Sequence, residues 1–193
     1  MRVLGISGSL RRGSLNSALL RAAAERLPAG AELVTFDRLA KIPPFSEDAE
    51  AGPAPDAVRE LREAMRAADA VLIATPEYNH SLPGQLKNAL DWASRPAGQS
   101  ALNGKPAAVV GASKSMFGAV WAQAELRKVL AAMGGRVIEA ELPVAQAHEL
   151  LAGERLELPP QQAERLEEIL AELVAAAEAE AAEREPELVV AAA

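Results

Sequence analysis

The fold is decided by residues 2–17, which read RVLGISGSLRRGSLNS from Arg2 to Ser17. An apolar strand opens this stretch, a polar loop containing Gly8 and Gly13 follows, and a helix runs on through Leu27. Free backbone N–H groups at a helix N-terminus attract anions, because the positive end of the helix dipole lies there. The stretch therefore predicts a phosphate-binding loop, whose side-chain donors are Ser9, Ser14, Asn16 and Ser17 with Arg11, while a role for Arg12 stays open.

Two common phosphate-binding motifs do not match this loop. A Walker A loop requires Lys and then Ser or Thr after its second glycine, whereas Ser14 and Leu15 follow Gly13. The dinucleotide fingerprint requires a glycine spacing that is absent here, although Asp37 lies near the end of a second predicted strand. A structural interpretation stays open, in which the polar residues only form a turn and cap the helix.

The composition indicates one soluble domain. With 193 residues, half of them apolar, the chain can fill one core but is too short for two ordinary domains. It lacks the roughly 18 consecutive apolar residues of a membrane span and a signal-peptide pattern, so we expect a cytoplasmic protein with no membrane partner. The net charge of −7 argues against nucleic-acid binding. The absence of cysteine and the isolated His80 and His148 predict no metal site.

Five apolar segments, each followed by a helical pattern, predict an α/β fold. The first opens the chain, and the others are residues 31–36, 70–74, 105–111 and 136–142. This alternation implies a three-layer, doubly wound, five-stranded parallel sheet, for which we expect the strand order 2-1-3-4-5. Ligands bind at the carboxyl ends of the strands in such sheets, so the polar loops after the first, third and fourth strands should converge.

We assign residues 1–175 to this domain and residues 176–193 to a C-terminal tail. A last helix begins at Pro159-Pro160 and carries an apolar stripe that includes Leu166, Leu170 and Leu173. Beyond it the composition collapses mainly to Ala, Glu and Arg. We expect the tail to be a frayed terminus or an extended helix.

Two segments resemble the NAD(P)H-dependent FMN reductases, a flavodoxin-like group that includes quinone, azo-dye and chromate reductases. One is the loop from Gly5 to Asn16, and the other is residues 76–92, which read PEYNHSLPGQLKNALDW. The resemblance covers about residues 2 to 157. The chain departs from the family pattern at Ala119, where a second glycine is usual, and at Trp121, where arginine is common. These departures concern the nicotinamide and acceptor pocket more than flavin binding.

The resemblance implies a flavodoxin-like fold and a tightly bound FMN. The first loop would hold the phosphate of FMN. A second group of residues would lie along the isoalloxazine ring system, and a third group would flank the opposite side of that ring system. The second group is Pro76, Glu77, Tyr78 and Asn79, and the third is Ser113 with the loop to Gly118. For two of these residues a structural role stays open: Tyr78 as a packing residue, and Glu77 as a hydrogen-bonding partner of its own loop.

The resemblance also implies a reaction. NADPH or NADH would deliver hydride to FMN, and a quinone, an azo compound, free flavin or a metal oxyanion would then take the electrons at the same face, by a ping-pong mechanism. Because the flavin supplies the chemistry, we expect no catalytic side chain. Two alternatives are an FMN electron carrier without its own NAD(P)H oxidation and a flavin-free regulatory protein on the same fold. The family further implies a homodimer, or a dimer of dimers.

Overall fold

A parallel sheet forms the centre of the computed structural model, which describes residues 1–191 and, for side chains, residues 1–183. Its strands are β1 (Arg2–Ser7), β2 (Glu32–Phe36), β3 (Ala70–Thr75), β4 (Pro106–Ala112), β5 (Arg136–Val137) and β6 (Pro143–Val144). Their order is β2-β1-β3-β4-β5, as predicted, and the short strand β6 also pairs with β4. The flavodoxin-like topology is therefore confirmed.

Helices cover both faces of the sheet. They are α1 (Leu15–Ala24), α2 (Glu47–Glu50), α3 (Asp56–Ala67), α4 (Gly84–Ala93), α5 (Val120–Ala132) and α6 (Pro160–Ala191). Side chains of α1 and α6 build the core on one face, and those of α3, α4 and α5 build it on the other. Every residue of β3 and β4 is buried. This explains why both strands read as continuous apolar runs rather than as alternating patterns.

The predicted fifth strand, residues 136–142, is the main departure from the expected fold. At this edge of the sheet β4 pairs with β5 and, after an irregular segment, with β6. The intervening chain keeps two backbone hydrogen bonds to β4, from the Ile138 nitrogen to the Ala107 carbonyl at 2.8 Å and from the Gly111 nitrogen to the Leu142 carbonyl at 3.1 Å. Side chains supply further contacts: the Leu142 N–H donates to Gln123 Oε1 at 3.1 Å, and Arg127 forms ion pairs with Glu139 and Glu141. The prediction of one continuous strand was wrong: the regular pairing stops after Val137, and at Leu142 the N–H group has the Gln123 side chain of α5 as its acceptor in place of a neighbouring strand.

The C-terminal part of the chain forms the long helix α6. Its predicted apolar stripe faces the core, and the buried face continues to Ala177. Further along, Glu183 lies 3.8 Å from Arg136 of β5. The division of the chain at residue 175 stays a prediction, and residues 192–193 of the proposed tail lie outside the described residues.

Two short strands and one helical turn complete the elements. The strands β7 (Leu151–Ala152) and β8 (Arg155–Leu156) form an antiparallel hairpin beside α1, and a 3-10 turn covers Leu39–Lys41 after β2. Among the helices of residues 1–191, none is both long and apolar enough to cross a bilayer. Within the described residues, no three His, Cys, Asp or Glu side chains are grouped so as to hold a metal ion.

Candidate functional site

The loops after β1, β3 and β4 converge, as predicted, around a cavity of about 290 Å³ at the carboxyl edge of the sheet. Seven of the predicted site residues line it: Ser9, Arg11, Asn16, Pro76, Glu77, Tyr78 and Ser113. The other four, Ser14, Ser17, Asn79 and Gly118, do not line this cavity. Ser14 and Ser17 instead border a smaller space of about 130 Å³ between the first loop and the hairpin of β7 and β8, which Arg11 also lines.

Ser14 is the N-cap of α1. Its Oγ accepts hydrogen bonds from the backbone nitrogens of Asn16 at 3.2 Å and Ser17 at 3.3 Å. The side chain is buried, and its hydroxyl oxygen satisfies two of the N–H groups that a helix start leaves unpaired. The capping interpretation left open by the sequence therefore applies to Ser14, and only its hydroxyl hydrogen remains to serve a ligand.

Asn16 joins the first loop to the end of β4. Its Nδ2 donates to the Ala112 carbonyl at 2.9 Å, and its Oδ1 accepts from the Ala112 nitrogen at the same distance. The two residues are 96 positions apart, and the Asn16 side chain is buried. This pair of hydrogen bonds satisfies the backbone of a buried strand end, so Asn16 fixes the spacing between two loops that line the cavity.

Arg11 presents a free guanidinium group at the cavity. It is exposed and forms no side-chain hydrogen bond or ion pair with any residue in the described part of the chain. Its backbone nitrogen donates to Ser9 Oγ at 3.4 Å, which orders the loop between them. The neighbouring Arg12 is also exposed but lines neither the main cavity nor the smaller space behind the loop.

The second loop contains a tight turn. The backbones of Tyr78 and Ser81 exchange hydrogen bonds of 3.0 and 3.2 Å, and the two residues between them have positive φ, 53° at Asn79 and 60° at His80. Asn is among the residues that tolerate this conformation, so Asn79 serves the turn. Tyr78 lines the cavity and is 54% exposed, so its ring does not pack in the core of the chain.

Glu77 links the second loop to α5. Its Oε2 accepts hydrogen bonds from the backbone nitrogens of Trp121 at 3.0 Å and Ala122 at 3.1 Å. The helix has no side-chain cap of its own, because its N-cap residue is Ala119, whose methyl group cannot accept a hydrogen bond. The Glu77 side chain is only 8% exposed, and its carboxylate complements the positive end of the helix dipole. The sequence interpretation, in which Glu77 bonds within its own loop, did not identify this partner.

Gly118 shapes the third loop from behind. Its φ is 58°, and a Cβ at this position would lie 2.5 Å from the carbonyl carbon of Pro143. Only glycine therefore allows the loop to pack against β6. Gly118 is buried away from the cavity, whereas Ser113 lines it and its Oγ lies 3.0 Å from Ser115 Oγ.

An exposed aromatic cluster lies beside the cavity. The Trp121 ring packs edge-on against His80 at 4.7 Å and against Phe117 at 4.8 Å between ring centroids. Trp121 and Phe117 are 41% and 53% exposed, and Met116 next to them is 77% exposed. Sequence reasoning missed the cluster as a unit, although Trp121 in place of the family's common arginine was a signal.

The donor set of the cavity fits a ring-and-phosphate cofactor. A free guanidinium group and the Ser9 hydroxyl lie at the first loop, and Pro76 with the Tyr78 ring offers apolar surface at the second. Hydroxyl and guanidinium groups suit phosphate oxygens, and flat apolar surfaces suit an aromatic ring system. The fold and this site define a flavodoxin-like flavoprotein.

The chain belongs to the NADPH-dependent FMN reductase family, whose sequence model matches residues 1–149. It is similar to the NAD(P)H-dependent FMN reductase of Pseudomonas aeruginosa, with 53% identity over 130 residues, 67% of this chain and 69% of that protein. It is also similar to the 2-hydroxy-1,4-benzoquinone reductase of a Burkholderia species, with 43% identity over 131 residues, 68% of this chain and 70% of the relative.

A solved structure supports the same relationship. The flavoenzyme NAD(P)H:(acceptor) oxidoreductase FerB of Paracoccus denitrificans is 34% identical, with a TM-score of 0.80 over 93% of this chain and 98% of that one. The chain is thus an oxidoreductase of the FMN reductase and quinone reductase type, with FMN as cofactor and NAD(P)H as co-substrate.

Proposed function

We propose that the protein transfers reducing equivalents from NADH or NADPH, by way of bound FMN, to a quinone, and that both substrates use the same face of the site in turn. Bound FMN accepts a hydride and passes the electrons on. The observation that carries the proposal is the cavity shared by three strand-end loops, with the exposed Tyr78 at its edge. Two substrates that alternate on one face give ping-pong kinetics.

The protein's own residues hold and orient the cofactor in this proposal. Arg11 and Ser9 bind its phosphate from the cavity lining, and Asn16, which also lines the cavity, can add a hydrogen bond from its second amide hydrogen. Ser14 and Ser17 lie outside this lining and order the loop through the cap of α1. Pro76 and Tyr78 support the ring system, while Glu77 and Asn79 set the shape of the loop beneath it. Ser113 bounds the far side, and Gly118 allows that loop to take its course. No side chain needs to act as an acid or base.

The aromatic cluster supports a planar acceptor. Exposed Phe117, Trp121 and His80 beside the cavity offer ring surfaces on which a quinone can stack. Azo compounds and free flavin share this planarity and are proposed as further acceptors. A metal oxyanion is not planar and gains nothing from the rings, so we rank it below the other three.

Steady-state kinetics test the proposal directly. Purified protein should carry flavin, NADH or NADPH should bleach it without oxygen, and a quinone should restore the colour. Double-reciprocal plots at several quinone concentrations should be parallel. Intersecting lines would contradict the shared face. An FMN electron carrier, the alternative function, would not oxidise NAD(P)H steadily without a partner protein.

We also propose that the protein is a homodimer, or a dimer of dimers, located in the cytoplasm. Five of the six exposed large apolar side chains among the described residues are on the loops or helix that border the cavity: Leu10, Tyr78, Met116, Phe117 and Trp121. Such a concentration of apolar surface is typical of an interaction site. Light scattering at micromolar concentration tests the assembly, and a monomer at all concentrations would contradict it.

A further inference from the structure

A second cavity lies on the other side of the first loop from the candidate flavin site. We call it the β1–β2 cavity, because the carboxyl ends of these two strands border it together with α1 and the turn at Leu39–Lys41. Its volume is about 380 Å³. Ser9 lines both cavities, and β1 lies between β2 and β3 in the sheet, so the two spaces flank the same loop. The proposed reductase function places no ligand in the β1–β2 cavity, although Ser9 is shared with the flavin site.

Asp37 gives this cavity a free carboxylate. The residue directly follows β2, is exposed, and makes no hydrogen bond or ion pair with another residue in the described part of the chain. Hydroxyl groups of Ser17 and Thr35 lie in the same lining. A carboxylate can only accept hydrogen bonds, so its natural partner is a ligand that carries hydroxyl or amino donors.

The rest of the lining combines apolar surface with a cation. Leu10 and Phe36 both line the cavity, and Leu10 is 52% exposed although it is apolar. Arg21 lies at the α1 wall, where its Nη2 donates to the carbonyl of Glu154 at 2.7 Å and its remaining N–H groups stay available. One cavity thus presents flat apolar contacts, a hydrogen-bond acceptor and a guanidinium group.

We propose that the β1–β2 cavity binds the adenosine monophosphate moiety of a nucleotide, with the Asp37 carboxylate accepting hydrogen bonds from the ribose hydroxyls. Asp37 is the one acidic residue among the described residues that line this cavity, and it lies at the carboxyl end of β2, where an acidic residue accepts the ribose hydroxyls in classical dinucleotide-binding folds. The first loop holds the FMN phosphate, so the nucleotide lies beside that loop, in the β1–β2 cavity itself. The base lies against Leu10 and Phe36, and the phosphate faces Arg21 and the loop.

Two sources can supply this moiety, and the choice between them rests on the proposed function. One is the adenosine half of NADH, whose nicotinamide end must reach the flavin site. The other is the adenosine half of FAD, whose flavin half would occupy that site in place of FMN. With NADH as the source, Asp37 also discriminates against NADPH, because the 2′-phosphate would lie against the carboxylate.

Binding of 5′-AMP to the FMN-loaded protein tests the proposal by calorimetry. Asp37→Ala should weaken AMP binding about tenfold or more, since a hydrogen bond to a charged group is lost. The matched control is Asp48→Ala, which removes an exposed aspartate on α2 outside the cavity and should leave AMP affinity unchanged. Wild-type protein should bind 2′-deoxy-AMP more weakly than AMP, and Asp37→Ala should remove this difference.

Three results would overturn the inference: no AMP binding, equal AMP binding by wild type and Asp37→Ala, or displacement of FMN by AMP. None of them depends on turnover, so they leave the proposed reductase function untouched. Two further measurements identify the source. If it is NADH, Asp37→Ala raises the KM for NADH and narrows the preference for NADH over NADPH. If it is FAD, the variant loses affinity for FAD in the flavin-free protein while FMN affinity stays the same.

Discussion

Glu77 Oε2 accepts a hydrogen bond of 3.0 Å from the backbone nitrogen of Trp121, which lies 44 residues further along the chain. The bond fastens the loop after β3 to the first turn of α5. That loop lines the candidate flavin site, and α5 carries part of the aromatic cluster. The Glu77 carboxylate therefore fixes the position of the loop that is proposed to support the flavin relative to the aromatic cluster that is proposed to bind the acceptor.

The first prediction concerns this cap. Glu77→Ala should lower the free energy of unfolding by about 2 kcal/mol, because two N–H groups at the start of α5 lose their acceptor. Glu77→Gln keeps an acceptor oxygen but loses the charge that complements the helix dipole, so we expect the free energy of unfolding to fall by about 1 kcal/mol. Urea denaturation measures both. Glu125→Ala on the exposed face of α5 is the control, and an effect as large as that of Glu77→Ala would refute the capping role.

The second prediction concerns cofactor affinity. Arg11→Ala should raise the Kd for FMN by about ten- to a hundredfold, since it removes a charged hydrogen-bond donor to the phosphate. Arg12→Ala makes the same change one residue away, outside the cavity, and should have an effect of less than about threefold. Fluorescence titration of flavin-free protein gives both constants. Riboflavin, which lacks the phosphate, should bind the Arg11 variant and the wild type equally.

The third prediction compares two glycines with similar backbone angles. Gly118→Ala should lower the free energy of unfolding by about 3 kcal/mol or more, because the new Cβ atom would lie 2.5 Å from the Pro143 carbonyl carbon. Gly13 has a φ of 64°, but a Cβ added there would meet nothing within 4 Å, so Gly13→Ala should cost only about 1 kcal/mol of backbone strain. Thermal denaturation separates the two effects. Equal losses would show that backbone strain, and not the contact with β6, sets the requirement at Gly118.

The sheet could be predicted from the sequence because each strand is recognisable from its own residues and from the turn-forming residues beside it. β3 and β4 are uninterrupted apolar runs between turn-forming residues, and these features fix both the alternation of elements and the strand ends that carry polar loops. The contacts that organise the site are not local. Nothing near Glu77 indicates that it caps α5, and nothing near Asn16 indicates that its amide pairs with Ala112, 96 residues away. The prediction of one continuous fifth strand was wrong for the same reason, because the backbone nitrogen of Leu142 donates to the side chain of Gln123, a residue distant in the sequence.

The fourth prediction concerns the connection between the first and third loops of the site. Asn16→Ala leaves the buried N–H and C=O of Ala112 without partners, so unfolding free energy should fall by about 2–4 kcal/mol. Ser14→Ala removes only the cap of α1 and should cost about 1 kcal/mol. Urea denaturation ranks the two variants. The reverse ranking would mean that the loop-to-strand contact contributes less than the helix cap.

The fifth prediction separates the two half-reactions. Trp121→Ala removes the central ring of the aromatic cluster but keeps the backbone nitrogen that Glu77 binds, so the cap on α5 survives. If quinones stack on this ring, the variant should raise the KM for a planar quinone by about three- to tenfold, the range expected for loss of one aromatic contact. The rate at which NADH bleaches the flavin in a stopped-flow experiment should stay the same, because that step precedes acceptor binding in a ping-pong cycle. Ferricyanide, a non-planar acceptor, serves as the control and should keep its KM. A parallel loss with quinone and ferricyanide would assign Trp121 to the general shape of the site rather than to recognition of planar acceptors.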